Sequence, residues 1–242
     1  MSAENLINIG AALWFFFCWF GYTEFSRRKA KTTDCLSSVL HTYRMNWMLA
    51  MLTRENRIGD AALIASLERN ASFLASASMF IIAGLLTIIA SIDQVYATLA
   101  RLQFTNSSVT VLQLQLKIML LLTIYVYAFF TLTWALRQFG FCAVVLGAAP
   151  MPDDHLISHE DKVNYAIRAA KIIGRAGHSY NYGLRAYYFS LSVLPWFFNT
   201  WLFMATVALV VGVLYRREFF SRTLGVLSGG AALDDMTNRA HR

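Results

Sequence analysis

His155 and His159 stand four residues apart among Asp153, Asp154, Glu160 and Asp161, a spacing at which two imidazoles on one helical turn can share a metal ion. Pro150 and Pro152 interrupt any helix at that point, and Ser158 with Asp161 has the form of a capping box. The cluster therefore reads as the start of a helix. No HExxH, GxSxG, Walker-type or Rossmann glycine pattern occurs in the chain. Cys18, Cys35 and Cys142 form an odd, scattered set, which predicts free thiols and offers no CxxC metal site. These residues predict a protein that is not an enzyme and takes no cofactor or metal.

A second set of polar residues borders the apolar runs. Arg57 with Glu55 and Asp60, Arg137 with Gln138, and Asn181 with Arg185 are expected to meet at one membrane level. Two uses are open to them: a charge network that fixes helix packing, or an anion, lipid-headgroup or gate site built on Arg57, Arg137 and Arg185. Asn199 is an amide inside an apolar run, and burying it unpaired costs about 2–7 kcal/mol, so it must meet another helix or a polar cavity. One turn earlier, Pro195 predicts a kink. Ala75, Ser76, Ala83, Gly84, Thr87 and Ser91 make a small-residue stripe for close helix contact, with Thr87 and Ser91 as candidate hydroxyls along a pathway.

The elements that must position these residues follow from composition. Of 242 residues, 57% are hydrophobic and 14% charged, against about 45–50% and 25% in soluble chains. That excludes disorder for most of the chain and argues for a membrane protein. The net charge of +7 could suggest a nucleic-acid partner, but the basic residues cluster beside apolar spans, so none is expected. Four runs free of charge predict an all-α fold of four transmembrane helices, over about 5–23, 73–92, 118–136 and 186–215. The first lacks the basic lead-in and small-residue cleavage site of a signal peptide and is expected to stay as an anchor. Leu36, Leu40, Tyr43, Trp47 and Met51 recur at helical spacing and predict a cytoplasmic, interfacial amphipathic helix between the first two spans. The membrane domain is expected over 1–220, with a mobile polar tail over 221–242.

Orientation follows from Lys and Arg. The segment after the first span holds Arg27, Arg28, Lys29, Lys31, Arg44, Arg54, Arg57 and Arg69, and that after the third holds Arg137, Lys162, Arg168, Lys171, Arg175 and Arg185. Arg101 and Lys117 lie between spans two and three; Arg216, Arg217, Arg222, Arg239 and Arg242 follow span four. The first two segments are therefore cytoplasmic and both termini lie outside, although Arg216 and Arg217 pull the other way; a re-entrant or displaced fourth helix puts the C-terminus inside.

Arg44-Met45-Asn46-Trp47-Met48, Glu55-Asn56-Arg57-Ile58 with Asp60, Thr133-Trp134-Ala135-Leu136-Arg137-Gln138-Phe139, Gly147-Ala148-Ala149-Pro150, Gly183-Leu184-Arg185-Ala186-Tyr187-Tyr188-Phe189 and Tyr215-Arg216-Arg217-Glu218-Phe219 resemble the signature of a bacterial and plant family of multi-span membrane proteins, catalogued as a domain of unknown function. The resemblance runs from about Trp14 to Phe219 and implies a protein of the bacterial inner membrane with no catalytic chemistry.

The sequence leads first to an oligomeric passive channel or facilitator, joined through the small face of span two and conducting past Ser, Thr, Asn and Tyr side chains. The alternative is a membrane scaffold whose Trp47 helix and Arg-rich face hold a protein partner or anionic lipid. A lipid-acting enzyme ranks last, since only the His155 and His159 region offers it a cluster.

Overall fold

The structure is a computed structural model that describes residues 3–30, 32–33, 35–101 and 110–229. Among these residues there is no β-strand, and the helices are α1 (Ala3–Lys29), α2 (Leu36–Leu52), α3 (Ile58–Ala90), α4 (Ile92–Arg101), α5 (Val111–Gly147), α6 (His159–Val193) and α7 (Thr200–Phe219). The fold is all-α, as composition requires.

Helix ends follow local chemistry. Asn56 Oδ1 accepts from the Ile58 amide at 2.9 Å to open α3. Before α5, Thr110 and Gln113 exchange backbone and side-chain bonds of 3.3 Å, the reciprocal capping pattern. Before α6, Ser158 Oγ accepts from the Asp161 amide at 3.1 Å, the N-cap half of the predicted capping box, and donates to the Asp161 carboxylate at 2.7 Å. The alternating segment Leu112–Lys117 is helical, inside α5.

Three helices are long and apolar enough to cross a membrane: Leu6–Lys29, Ile58–Ala90 and Val111–Gly147. The fourth expected span, 186–215, does not form as one helix. α6 ends at Val193, Leu194–Phe197 is a 3-10 turn, and α7 starts afresh at Thr200. Pro195 has no N–H to continue α6, and Asn199 caps the new helix. The break is a reversal and not a kink: Thr206 Oγ1 donates to the Ser192 carbonyl at 3.2 Å, which only a fold-back can bring together across fourteen positions. The sequence reading missed this because uncharged residues continue through the turn.

The chain divides into two compact units, 1–27 with 74–131 and 182–214, and 28–73 with 132–181 and 215–242. In the first unit an aromatic core joins α1, α6 and α7: Phe15 meets Phe189 at 5.8 Å and Phe203 at 5.9 Å, and Trp19 stacks on Phe189 at 5.5 Å. Its polar interior is bonded through: Tyr187 donates to the Leu74 carbonyl at 2.7 Å and lies 2.8 Å from Ser78 Oγ, while Ser190 donates to Tyr125 at 2.9 Å.

In the second unit Met48, Met51 and Leu52 of α2 pack with Ile64, Phe139 and an alanine-rich face of α6 at Ala166, Ala169, Ala170, Ile173 and Ala176. Such small side chains allow close helix approach. The helix expected around Trp47 forms as α2, but its buried positions are Val39, Met48, Met51 and Leu52, while Leu36, Leu40, Tyr43 and Trp47 are half-buried. Burial on both sides of the predicted stripe follows from α2 packing within the unit instead of lying on one face. The expected tail begins with a helical segment, 222–229, where Leu224 is buried and the Leu227 carbonyl accepts from Tyr43 at 3.2 Å. The remainder of that tail lies outside the described residues.

Candidate functional site

The predicted arginine cluster is resolved into separate contacts. In the second unit, Asp60 is 1% exposed, and its Oδ1 accepts from Arg54 Nη1 and from Trp47 Nε1, both at 2.6 Å. Asp60 sits in the first turn of α3, where the helix dipole favours a carboxylate. One buried acceptor thus ties α2, the connecting loop and α3 together.

Arg57 does not join that pair. Its two terminal nitrogens donate to the carbonyls of Ala149, at 2.7 Å, and Pro150, just beyond the C-terminus of α5. Carbonyls at a helix end carry partial negative charge and lack helical donors, so the fork of an arginine suits them. Its Nε is buried without a hydrogen-bond partner among the described residues. Lys162 Nζ donates to the Pro152 carbonyl at 2.8 Å, and Tyr165 to the Val145 carbonyl, so the same stretch is held from α6 as well. Burial raises the Tyr165 phenol above its ordinary 10.0, against the opposing pull of Arg57 and Arg168.

The other predicted members stand apart. Glu55 and Asn181 are exposed; Arg137 is exposed, with its guanidinium 5.7 Å from the Phe141 ring. Gln138 is buried and accepts from Ser179 at 3.4 Å. In the first unit, Arg185 donates to Ser26 Oγ at 3.1 Å and lies over the Tyr22 ring at 5.3 Å.

The intramembrane candidates are also placed otherwise than expected. Asn199 is exposed, and its Oδ1 accepts from the Trp201 and Leu202 amides at 2.7 and 3.3 Å, which makes it the N-cap of α7. Thr87 is exposed and donates to the Ala83 carbonyl at 3.0 Å, and Ser91 donates to the Thr87 carbonyl at 2.9 Å. These hydroxyls bond to their own helix. Of the small stripe on α3, Ala75 is buried, whereas Ser76, Gly84 and Thr87 face outward. A Cβ added at Gly84 meets nothing within 4 Å. The buried line of α3 is instead Asp60, Ile64, Ala71, Ala75, Ser78 and Leu85.

Two cations outside the predicted set are built into the interior. Arg44 lies against α6 at Gly177, where a Cβ would come 3.0 Å from its Nη2, and burial lowers its pKa. Lys117 lies inside α5, one of the three candidate spans, and is 5% exposed. Its Nζ donates to the Trp196 carbonyl at 2.7 Å and sits 5.3 Å from the Trp196 ring centre. Treating Lys117 as the boundary of the third span hid it, because only a helix that begins at Val111 carries it inward.

The pattern of these contacts is mechanical: side chains bind backbone carbonyls, helix ends and one another. No group of three or more metal-binding side chains gathers among the described residues. No curated protein and no solved structure matches the chain. The model of one protein family, described as protein of unknown function, DUF599, matches residues 11–223, and the chain belongs to that family.

Proposed function

We propose that this chain is a non-enzymatic protein of the bacterial inner membrane that acts as a scaffold, holding a protein partner or anionic lipid headgroups on its cytoplasmic side. The observation that carries the reading is the fixed character of its polar groups. Asp60, Arg57, Asn199, Thr87 and Ser91 are each bonded to this chain's own backbone or to an adjacent side chain, which suits a rigid holder better than a conduction path.

The reversal at Leu194–Phe197 supports a topology with the N-terminus outside and the C-terminus cytoplasmic. In this reading, with 186–215 folded back, Arg216, Arg217 and Arg222 join the cytoplasmic segments 27–69 and 137–185, and Arg101 belongs to the other face. The positive-inside rule is then obeyed without the conflict that a fourth crossing creates. In this reading α2 serves at the cytoplasmic face and presents Leu49, His41 and Thr42, its exposed residues, to a partner.

A second reading, an oligomeric passive facilitator, is favoured by one feature: the outward Ser76, Gly84 and Thr87 face of α3, where a Cβ added at Gly84 meets no described residue within 4 Å. Native mass spectrometry of the protein released from nanodiscs separates the two. A monomer or dimer retaining anionic lipid supports the scaffold. A closed ring of three or more subunits with no retained anionic lipid refutes it in favour of the facilitator.

A further inference from the structure

We infer that the first unit carries a binding groove for a long-chain fatty carboxylate, with Lys117 as the counter-charge to its head. The groove, of about 680 Å³, lies between α1 and the N-terminal half of α5 and is closed at one side by Trp196. That volume is within the about 300–1,000 Å³ of small-molecule sites.

Its lining is mixed. At the start of α5 the polar Thr110, Gln113 and Lys117 alternate with Leu112 and Leu116, and α1 faces them with Asn8, Ala12 and Phe16. The polar groups of α5 in the groove therefore lie in the first two turns of a 37-residue helix, at its positive end, and most of the remaining lining is hydrocarbon. A molecule matched to this lining has an anionic head and an apolar tail.

Lys117 supplies the second, independent reason. An ammonium buried to this degree requires compensation, and it has one carbonyl and one aromatic face, both from Trp196. Among the described residues that line the groove there is no carboxylate. An ammonium has three protons, and one carbonyl satisfies only one of them. With Lys117 only 5% exposed, the smallest anionic head suits the site best, and a carboxylate is more compact than a glycerophosphate headgroup. The occupant proposed is thus a free fatty carboxylate and not a bilayer phospholipid. This goes beyond the scaffold reading, which concerns the cytoplasmic side, and stands or falls separately from it.

The test titrates the full chain in detergent with oleate and with oleyl alcohol, which share a tail and differ in charge, and counts adducts by native mass spectrometry. The expected result is one saturable oleate per chain and at least tenfold weaker binding of the alcohol. Lys117→Met should remove that preference, and Ala12→Trp, which fills the groove, should abolish both adducts. Equal binding of oleate and alcohol by the unaltered protein overturns the proposal, with no variant needed. So does oleate binding that survives Ala12→Trp, or displacement of oleate by an equimolar amount of phosphatidylglycerol, which would assign the groove to a phospholipid. If Lys117→Met does not fold, the two-probe comparison and Ala12→Trp decide alone.

Discussion

The Arg54–Asp60 pair makes an unequal prediction about its two partners. Asp60 is 1% exposed while the Arg54 side chain is 48% exposed, so each deletion leaves a different orphan. Arg54→Ala strands a carboxylate in the interior with Trp47 as its remaining side-chain donor. Breaking a buried pair in this way costs about 3–5 kcal/mol. Solvent at the half-exposed arginine screens the pair, and the α3 dipole supports the stranded charge by about 0.3–1 kcal/mol, so the expected loss is about 2–3 kcal/mol. Asp60→Ala strands no charge, because Arg54 turns to water, and the Trp47 N–H alone loses its acceptor, at about 1–2 kcal/mol. The double variant Arg54→Ala/Asp60→Ala should then be no less stable than Asp60→Ala alone, and more stable than Arg54→Ala. In thermal unfolding followed by tryptophan fluorescence in detergent, 1 kcal/mol corresponds to about 2–4 °C for a chain of this size. Arg54→Ala should lower Tm by about 4–12 °C and the double variant by about half as much. If the two losses simply add in the double variant, the pair is not coupled and the account of Asp60 as a shared buried acceptor is wrong.

Arg57→Ala removes two donors from the carbonyls beyond α5 and should cost about 2–3 kcal/mol in the same melt; Arg57→Lys, with a point charge in place of a fork, should recover less than half of it. Asn199→Ala should lose about 1 kcal/mol with the α7 cap, and Asn199→Asp or Asn199→Ser should restore it; an equally unstable Asn199→Asp would mean the side chain does something other than cap. A fluorescent-protein fusion at the C-terminus should glow and an alkaline phosphatase fusion there should be inactive, the reverse pattern indicating a C-terminus outside. Tyr165 has a pKa raised on folding, so its contribution is complete below about pH 10, the ordinary value, and declines as pH rises through the higher folded value. Tyr165→Phe should therefore flatten the alkaline limb of the stability profile, and an unchanged limb would remove Tyr165 from it.

Fold class was legible because it depends on composition: long uncharged runs in a chain of this hydrophobicity must satisfy their own backbone, and helices do so. The Ser158 capping box was legible for the same kind of reason, since its partners are three residues apart and need no tertiary information. The arginine cluster was legible as a set of residues but not as a geometry. Arg57 and Asp60 are three positions apart at the start of α3, yet one reaches the end of α5 and the other holds Trp47 and Arg54. Which of two polar neighbours finds the helix end and which finds the ion pair is set by the direction each leaves the helix, and sequence spacing does not contain the identity of the facing element.

The apolar run at 186–215 shows why a hydropathy reading stops where it does. Thirty uncharged positions permit a crossing or a fold-back equally, because both keep apolar side chains away from water. Pro195 alone favours a kink, and Asn199 alone reads as a buried amide; taken together, a residue that cannot donate followed four positions later by a strong N-cap residue is a stop and a new start. The basic residues agree with this in the proposed topology, where Arg216 and Arg217 fit the charge rule because the chain returns. The reversal in turn brings Trp196 to Lys117, since the carbonyl that receives the ammonium belongs to the 3-10 turn itself. A straight fourth helix would leave the carbonyl of Trp196 committed to its own ladder and Lys117 without an acceptor there, so the buried cation and the broken helix are one structural feature.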